Sequence, residues 1–376
     1  MRAVPLPNVA ELFVELAAMP SPSGQERAVA DAVTHYLRDL ALDVDEDGAG
    51  ARVGSTMGNL YTRIEATEQN GGTPIFLCAH LDTVPPDGPI QPVVDDEGMI
   101  RNARPTILGA DNKSAVAVML DAVRRILAEG RPHAGIELVF TPKEETGLEG
   151  AEAFDETRLV SRVGYVFDQA SPIGDVILGA PHQASIEAIF RGKAAHAGMA
   201  PEEGRSAIAA AARAIADLRL GRLDDITTAS VGLIHGGTAK NVVPELCSFD
   251  CDVRSHDHDA LTDLIREMLE TMTFAASLSD CDVETRVEEH FTGYRFRQSD
   301  TPVRIAVEAL GRVGREPNFM LSGGGADANV FNERGLECLN LGNGMAAIHS
   351  SDEHIAVADL DAMVDVTLAL VDAARE

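Results

Sequence analysis

Basic charge is what this chain has least of. Against 60 Asp and Glu it carries 31 Lys and Arg, for a formal net charge of −29, and only four of the basic residues are lysines: Lys113, Lys143, Lys193 and Lys240. A surface this acidic repels phosphate backbones, which excludes nucleic acid as a partner. The charge reads instead as a heavily solvated acidic face. Cysteine is sparse as well. Cys78, Cys247, Cys251, Cys281 and Cys338 include no CxxC pair, so a disulfide framework is not indicated and a reducing cytoplasm fits. Cys247 and Cys251 lie four apart, but in a strand-like stretch, and are given no metal role. No stretch approaches 18 uninterrupted apolar residues, so no transmembrane helix and no membrane partner are expected. Glu11 and Glu15 interrupt the N-terminal stretch, which therefore does not read as a signal peptide. Internal repeats and low-complexity segments are also missing.

What remains is ordinary globular material, 45% hydrophobic and 24% charged, in a chain of 376 residues that is too long for one simple core. Residues 8–19 and 24–40 have helical periodicity, with Ser23 placed to cap the second helix. Short apolar runs at 75–79, 135–140 and 163–167 read as buried strands, and 112–128 reads as an amphipathic helix. Strands alternating with helices predict an α/β fold with a mixed, mostly parallel sheet flanked by helices. The pattern changes near 183. Strand-like runs at 184–191, 228–235 and 245–254 and helices at 204–218 and 258–273 predict a small α+β sandwich. Helical periodicity returns at 302–314, a core strand at 337–341 and a last helix at 357–374. The expected organisation is a discontinuous catalytic domain, 1–182 with 294–376, and an inserted domain at 183–293.

Four polar clusters follow apolar runs: His80 with Asp82, Asp111 with Asn112 and Lys113, Glu144 with Glu145, and Asp168. In open α/β sheets, sites form beyond the carboxyl ends of the strands, and three of the clusters stand there. Asp111 falls instead on a loop opening a helix. His349, followed by Glu353 and His354, is a fifth candidate. Metal chemistry accounts for this set better than a nucleophile does. Zinc takes imidazole nitrogen and carboxylate oxygen, and a two-metal site needs a bridging carboxylate between ions about 3.5–4 Å apart. It also needs a carboxylate free to act as base, and adjacent Glu144 and Glu145 could divide those tasks. Each cluster alone is a weak signal, since a lone His is more often structural and a Glu-Glu pair more often a solvated face. Their joint order carries the argument.

Together these residues resemble the dizinc aminoacylase/carboxypeptidase family of metallopeptidases, and within it the peptidase T-like, tripeptidase-like branch. The resemblance covers almost the whole chain, including Pro20–Glu26, His80–Pro85, Leu108–Ser114, Phe140–Ala151, Asp168, Ala195–Ile208, His235–Pro244 and His349. It implies a zinc exopeptidase-like fold with the insertion serving as a lid and dimerisation domain. It implies that His80 and Asp168 bind one divalent ion, that Glu145 and His349 bind another, and that Asp111 bridges them. The ions would be zinc, with cobalt or manganese as alternatives. Asp82 would orient His80 through its other ring nitrogen, and Glu144 would be general base and then acid. His235 and Asn241 of the lid would contact substrate, His235 across a homodimer, and Arg254 would bind a substrate carboxylate. His196 belongs to a lid motif and is read as structural. Gly323-Gly324-Gly325 is read as a loop shaping the site, since no phosphate-binding pattern accompanies it. Ala115 stands where the family often has Gly, and Asn112 where true tripeptidases have a second Asp. The function implied is hydrolysis of short peptides from an aminopeptidase-like site. The competing readings are an N-acyl amino acid amidohydrolase or carboxypeptidase on the same scaffold, and a metal-free binding module.

Overall fold

The computed structural model describes residues 7–67 and 71–376. Residues 1–6, the start of the stretch read above as no signal peptide, and 68–70 lie outside them. The chain divides into two compact units. One comprises the chain up to Gly179 with Arg295–Ser322 and Ala326–Glu376, and the other Ala180–Tyr294 with Gly323–Gly325.

The first unit is built on a mixed sheet whose strands run in the order Leu60–Ile64, Ile136–Thr141, Ile75–His80, Val163–Gln169, Glu337–Gly342 and Asp175–Ala180. The middle pairings are parallel, while Leu60–Ile64 runs antiparallel to Ile136–Thr141 and Asp175–Ala180 antiparallel to Glu337–Gly342; Asn318–Leu321 adds a parallel partner to Asp175–Ala180. Every residue of Ile75–His80 and of Ile136–Thr141 is buried, which is why the first reads as a continuous apolar run and the second is apolar but for Glu137 and Thr141. Phe76 faces Gly164 across the neighbouring strand. A Cβ at Gly164 would stand 2.1 Å from the Phe76 ring, so only glycine fits there. The helices Val9–Ala17, Ala110–Glu129, Thr301–Arg312 and Val357–Arg375 pack among themselves and on the sheet. The mixed, mostly parallel α/β sheet flanked by helices is thus as expected from the sequence.

The second unit is an antiparallel sheet ordered Gly221–Arg222, Thr227–Gly236, Leu246–Ser255, His182–Arg191 and Asp282–Phe291. Leu246–Ser255 alternates strictly between buried and wetter positions, as a strand with one covered face does. The covering helices are Ala207–Asp217 and His258–Leu278. Ala207, Ala210, Ala211 and Ala214 bring the first one close, while Met268 and Met272 of the second fill the core beside the stacked Phe190 and Phe249 rings, 5.7 Å apart.

Two expectations need correction. The second helix begins at Arg27, with Glu26 at its cap position and no side-chain capping bond. Ser23 does not cap it, because its hydroxyl donates instead to Asp82 Oδ2 at 2.6 Å. The strands Asp175–Ala180 and Asp282–Phe291 were not anticipated. The second of these is a largely exposed edge rich in charge, so it lacks the apolar alternation that betrays a strand. No helix among the described residues is long and apolar enough to cross a membrane.

Candidate metal centre

His80 is the last residue of its strand, Asp168 lies near the end of Val163–Gln169, and Glu144 and Glu145 follow Ile136–Thr141. The parallel pairing of these strands brings their ends together. His80 Nε2 lies 3.1 Å from Asp111 Oδ1, 3.7 Å from Asp168 Oδ1 and 3.9 Å from Glu144 Oε2. His349 Nε2 lies 2.9 Å from Glu145 Oε1 and 3.3 Å from Asp111 Oδ2. The two oxygens of Asp111 therefore face different histidines. Among the described residues, two groups have ligand atoms close enough to hold an ion: His80 with Asp111 and Glu145, and His80 with Glu144 and Asp168.

Asp82 meets His80 Nδ1 through two of its oxygens. The nearest partner of His80 Nδ1 is the Asp82 main-chain oxygen at 3.0 Å, with the carboxylate Oδ1 at 3.5 Å. A carbonyl only accepts, so Nδ1 carries the proton and Nε2 is left to face the cluster. The Asp82 carboxylate accepts from Ser23 Oγ and from the main-chain N–H groups of Glu144 and Glu145, at 2.9 and 3.2 Å for the latter two. It thereby fixes the turn from which both glutamates project. Burial works against its charge, but His80, Ser23 and the Glu144 N–H hold it below the usual carboxylate range.

The donors are crowded and mostly buried. Burial, reinforced by the charges of Asp168, Asp327 and Glu145, pushes the Glu144 carboxyl well up, against the pull of His80. Burial and Asp111 do the same to Asp168. Asp111 is driven the other way: its bonds to His349 and His80 outweigh burial and hold it far below the ordinary range. Burial opposes charge on His80, yet Glu144, Asp111, Asp168 and Asp82 together raise it well above 6.5. Bonds to Asp111 and Glu145 raise His349 to about 10. Four carboxylates gathered on two imidazoles must share protons to coexist, and divalent cations would relieve the same excess of negative charge. The set is all nitrogen and oxygen, which suits zinc, cobalt or manganese.

Neighbours hold this cluster in ways not read from the sequence. Asn340 Oδ1 accepts the Asp168 N–H at 3.0 Å, and Asn343 Nδ2 donates to the Phe167 carbonyl at 2.8 Å. Fully buried Lys113 donates to the Met19 carbonyl at 2.5 Å. Burial lowers its pKa to about 7 against the opposing charges of Glu353 and Asp82. Asp327, also buried, accepts from the Thr141 hydroxyl at 2.5 Å. Of these groups, the sequence had drawn notice to Lys113, beside Asp111 and Asn112, and to Glu353, through its nearness to His349.

The residues read as substrate contacts all belong to the second unit. His235 is exposed near the end of Thr227–Gly236. The Asn241 main-chain oxygen accepts from the Ala197 N–H at 3.0 Å, so this loop is tied to the one bearing His196. His196 Nδ1 accepts from the N–H groups of Gly198 and Met199, which accords with a structural role. Arg254 is already engaged: Nε and Nη2 donate to Asp252 at 2.8 and 3.1 Å, and Nη1 to the Gly323 carbonyl at 3.0 Å. Gln183 Nε2 donates to the same Asp252 carboxylate. Gly325 packs where a Cβ would stand 2.6 Å from the Phe291 ring.

Residues 76–373 match the model of peptidase family M20/M25/M40. The chain is 34% identical to the protein YqjE of Bacillus subtilis (strain 168), over 97% of this chain and 98% of that one. It is 27% identical to a succinyl-diaminopimelate desuccinylase of Stenotrophomonas maltophilia (strain R551-3), over 97% and 98%. Among solved structures it is similar to aminopeptidase PepT of Bacillus cereus ATCC 10987, with 35% identity, a TM-score of 0.90 and 98% of each chain covered. It is also similar to a tripeptidase of Staphylococcus aureus subsp. aureus Mu50, with 33% identity, a TM-score of 0.94 and 98% of each chain covered.

Proposed function

The chain belongs to peptidase family M20/M25/M40, and from that premise we propose that it is a dinuclear metal-dependent exopeptidase that releases residues from short peptides in the manner of a tripeptide aminopeptidase. The observation that carries this reading is the Asp111 carboxylate, one oxygen toward His80 and the other toward His349. His80 and Asp168 would hold one ion, Glu145 and His349 the other, and Asp111 both. The ions, zinc or in its place cobalt or manganese, supply Lewis acidity when bound, polarising the scissile carbonyl and acidifying a water. Glu144 then has a defined task. Its Oε2 takes the proton of the attacking water and returns it to the leaving amine.

The inserted segment, 183–293, would act as lid and dimerisation domain beside a catalytic domain of 1–182 and 294–376. Leu233 and Ile234, both more than half exposed beside His235, support a homodimer in which His235 reaches the partner's substrate. Asn241 would contact the substrate as well. Arg254 uses three of its five N–H donors on Asp252 and Gly323, which pre-orients the guanidinium and leaves 5 − 3 = 2 donors for a substrate carboxylate. Five free cysteines fit a reducing cytoplasm.

The similarity to a desuccinylase favours a second reading, an N-acyl amino acid amidohydrolase on the same scaffold. One experiment addresses both. Metal content is measured by elemental analysis on wild type and Asp111→Ala, and hydrolysis is assayed on tripeptides and on N-acyl amino acids. The expected result is about two ions per chain in the wild type, as in two-metal sites generally, lost with tripeptidase activity in the variant. Turnover of the acylated compounds alone would establish the second reading. No metal uptake and no activity with zinc, cobalt or manganese would reject both.

A further inference from the structure

Asp111 has to hold its carboxylate between two histidines from a stretch of main chain that is not helical. Its φ and ψ are −83° and 107°, and Gly109, two residues earlier, is left-handed at φ 80°. In such a turn the N–H groups have no partner from a preceding helical turn and converge, which creates a site for an anion. The anion is a side chain from much later in the sequence. Glu353, 2% exposed, accepts the N–H of Leu108 at 2.6 Å and of Gly109 at 2.8 Å on Oε2, and that of Asp111 at 3.0 Å on Oε1.

Glu353 also stands at the foot of the loop that carries His349. That loop is closed by reciprocal main-chain bonds between Ala346 and His354, at 3.0 and 3.1 Å. A single buried carboxylate thus joins the loop of one histidine to the turn of the carboxylate facing it. The nearest reacting groups are reached only through Asp111, so the role is one of alignment.

We propose that Glu353 is a positioning residue that aligns the Asp111 carboxylate between His80 and His349, and so sets the affinity for the second ion and the rate of hydrolysis. The proposal rests on the metal-centre reading given above. Glu353→Gln tests it with little change of shape. Either amide orientation exchanges an acceptor for an NH2 group, so at least one of the three N–H groups faces another donor.

In this variant the second ion binds about tenfold to a hundredfold more weakly, with a comparable fall in kcat and little change in KM. A thermal melt of each protein reports folding. Hydrogen–deuterium exchange at Leu108, Gly109 and Asp111 supplies a readout that needs no turnover: these amides stay protected in chelator-stripped wild type and exchange faster in Glu353→Gln. If stripping alone deprotects them in the wild type, the ions and not Glu353 hold the turn, and the proposal falls whether or not the variant folds. Wild type that takes up no divalent ion ends the metal-centre reading itself. Wild type and Glu353→Gln binding two ions with equal affinity and equal kcat, whatever their melting temperatures, overturns the proposal alone.

Discussion

The two histidines of the cluster are held in opposite ways. His80 ends a strand in which every residue is buried, and its side chain is 1% exposed. His349 stands on a turn with φ 60°, and its side chain is 45% exposed. The sheet fixes the first, because moving it would displace a strand paired on both sides. The second is fixed by what it touches, Glu145 and Asp111, and by the closure of its own loop. One half of the centre is therefore preformed by the core, and the other is assembled from side-chain contacts near solvent. An ion on the His80 side should be the tighter and the slower to exchange.

The largest effect expected from this asymmetry comes from substituting each histidine. His80→Ala abolishes uptake of both ions and all measurable hydrolysis, while His349→Ala keeps one ion on elemental analysis. Equal losses from the two variants would erase the distinction. Next in size is Glu144→Gln, on the buried side, 3.9 Å from His80. Its kcat falls by about 10² to 10⁴, the usual contribution of a general base, with both ions retained. Loss of metal in this variant would instead make Glu144 a ligand.

The smallest effect concerns the floor of the buried half. Asp327 is raised from 3.8 to about 6, burial outweighing the Thr141 hydroxyl bond. Its ionised form is thus disfavoured in the folded protein: the penalty is complete above the folded value, shrinks as pH falls through about 6 and is gone below 3.8. Asp327→Asn should stabilise the protein at pH near 8 by at most about 3 kcal/mol, the equivalent of a shift of roughly two units. The gain should fade toward pH 4 in denaturant titrations. A gain independent of pH would dissociate it from the Asp327 charge.

The same division marks what could be read from the sequence. His80 and Asp168 announce themselves because a buried parallel strand is a continuous apolar run, and the first polar residue at its end is conspicuous. His349 was noticed as a candidate, but its pairing with Glu145 on one ion came only through the resemblance, since a turn with few buried neighbours has no periodicity to betray it. Glu353 was noticed for its spacing but given no role, because its partners are main-chain N–H groups and these leave no trace in residue type. Ser23 was misread for a related reason. Its hydroxyl could serve a local helix end or a distant carboxylate, and only the fold, by bringing Asp82 within 2.6 Å, decides between them. Arg254 has the residue type expected of a carboxylate binder, but the sequence did not disclose that Asp252 already occupies part of its fork.

The order of strands in the sheet also has a bearing on how the chain is made. Glu337–Gly342 lies between Val163–Gln169 and Asp175–Ala180, although the whole second unit separates it from them in sequence. On the ribosome, Val163–Gln169 emerges with one edge unpaired and waits for a partner synthesised much later. The intervening antiparallel unit, whose strands from His182 to Phe291 are contiguous in the chain, can complete its own pairing meanwhile. A nascent chain stopped before Leu336 would carry His80, Asp111, Glu145 and Asp168 on a sheet with an open parallel edge, the kind of surface that recruits other chains. Release of the last forty or so residues would then close the sheet and deliver His349 and Glu353 in the same event.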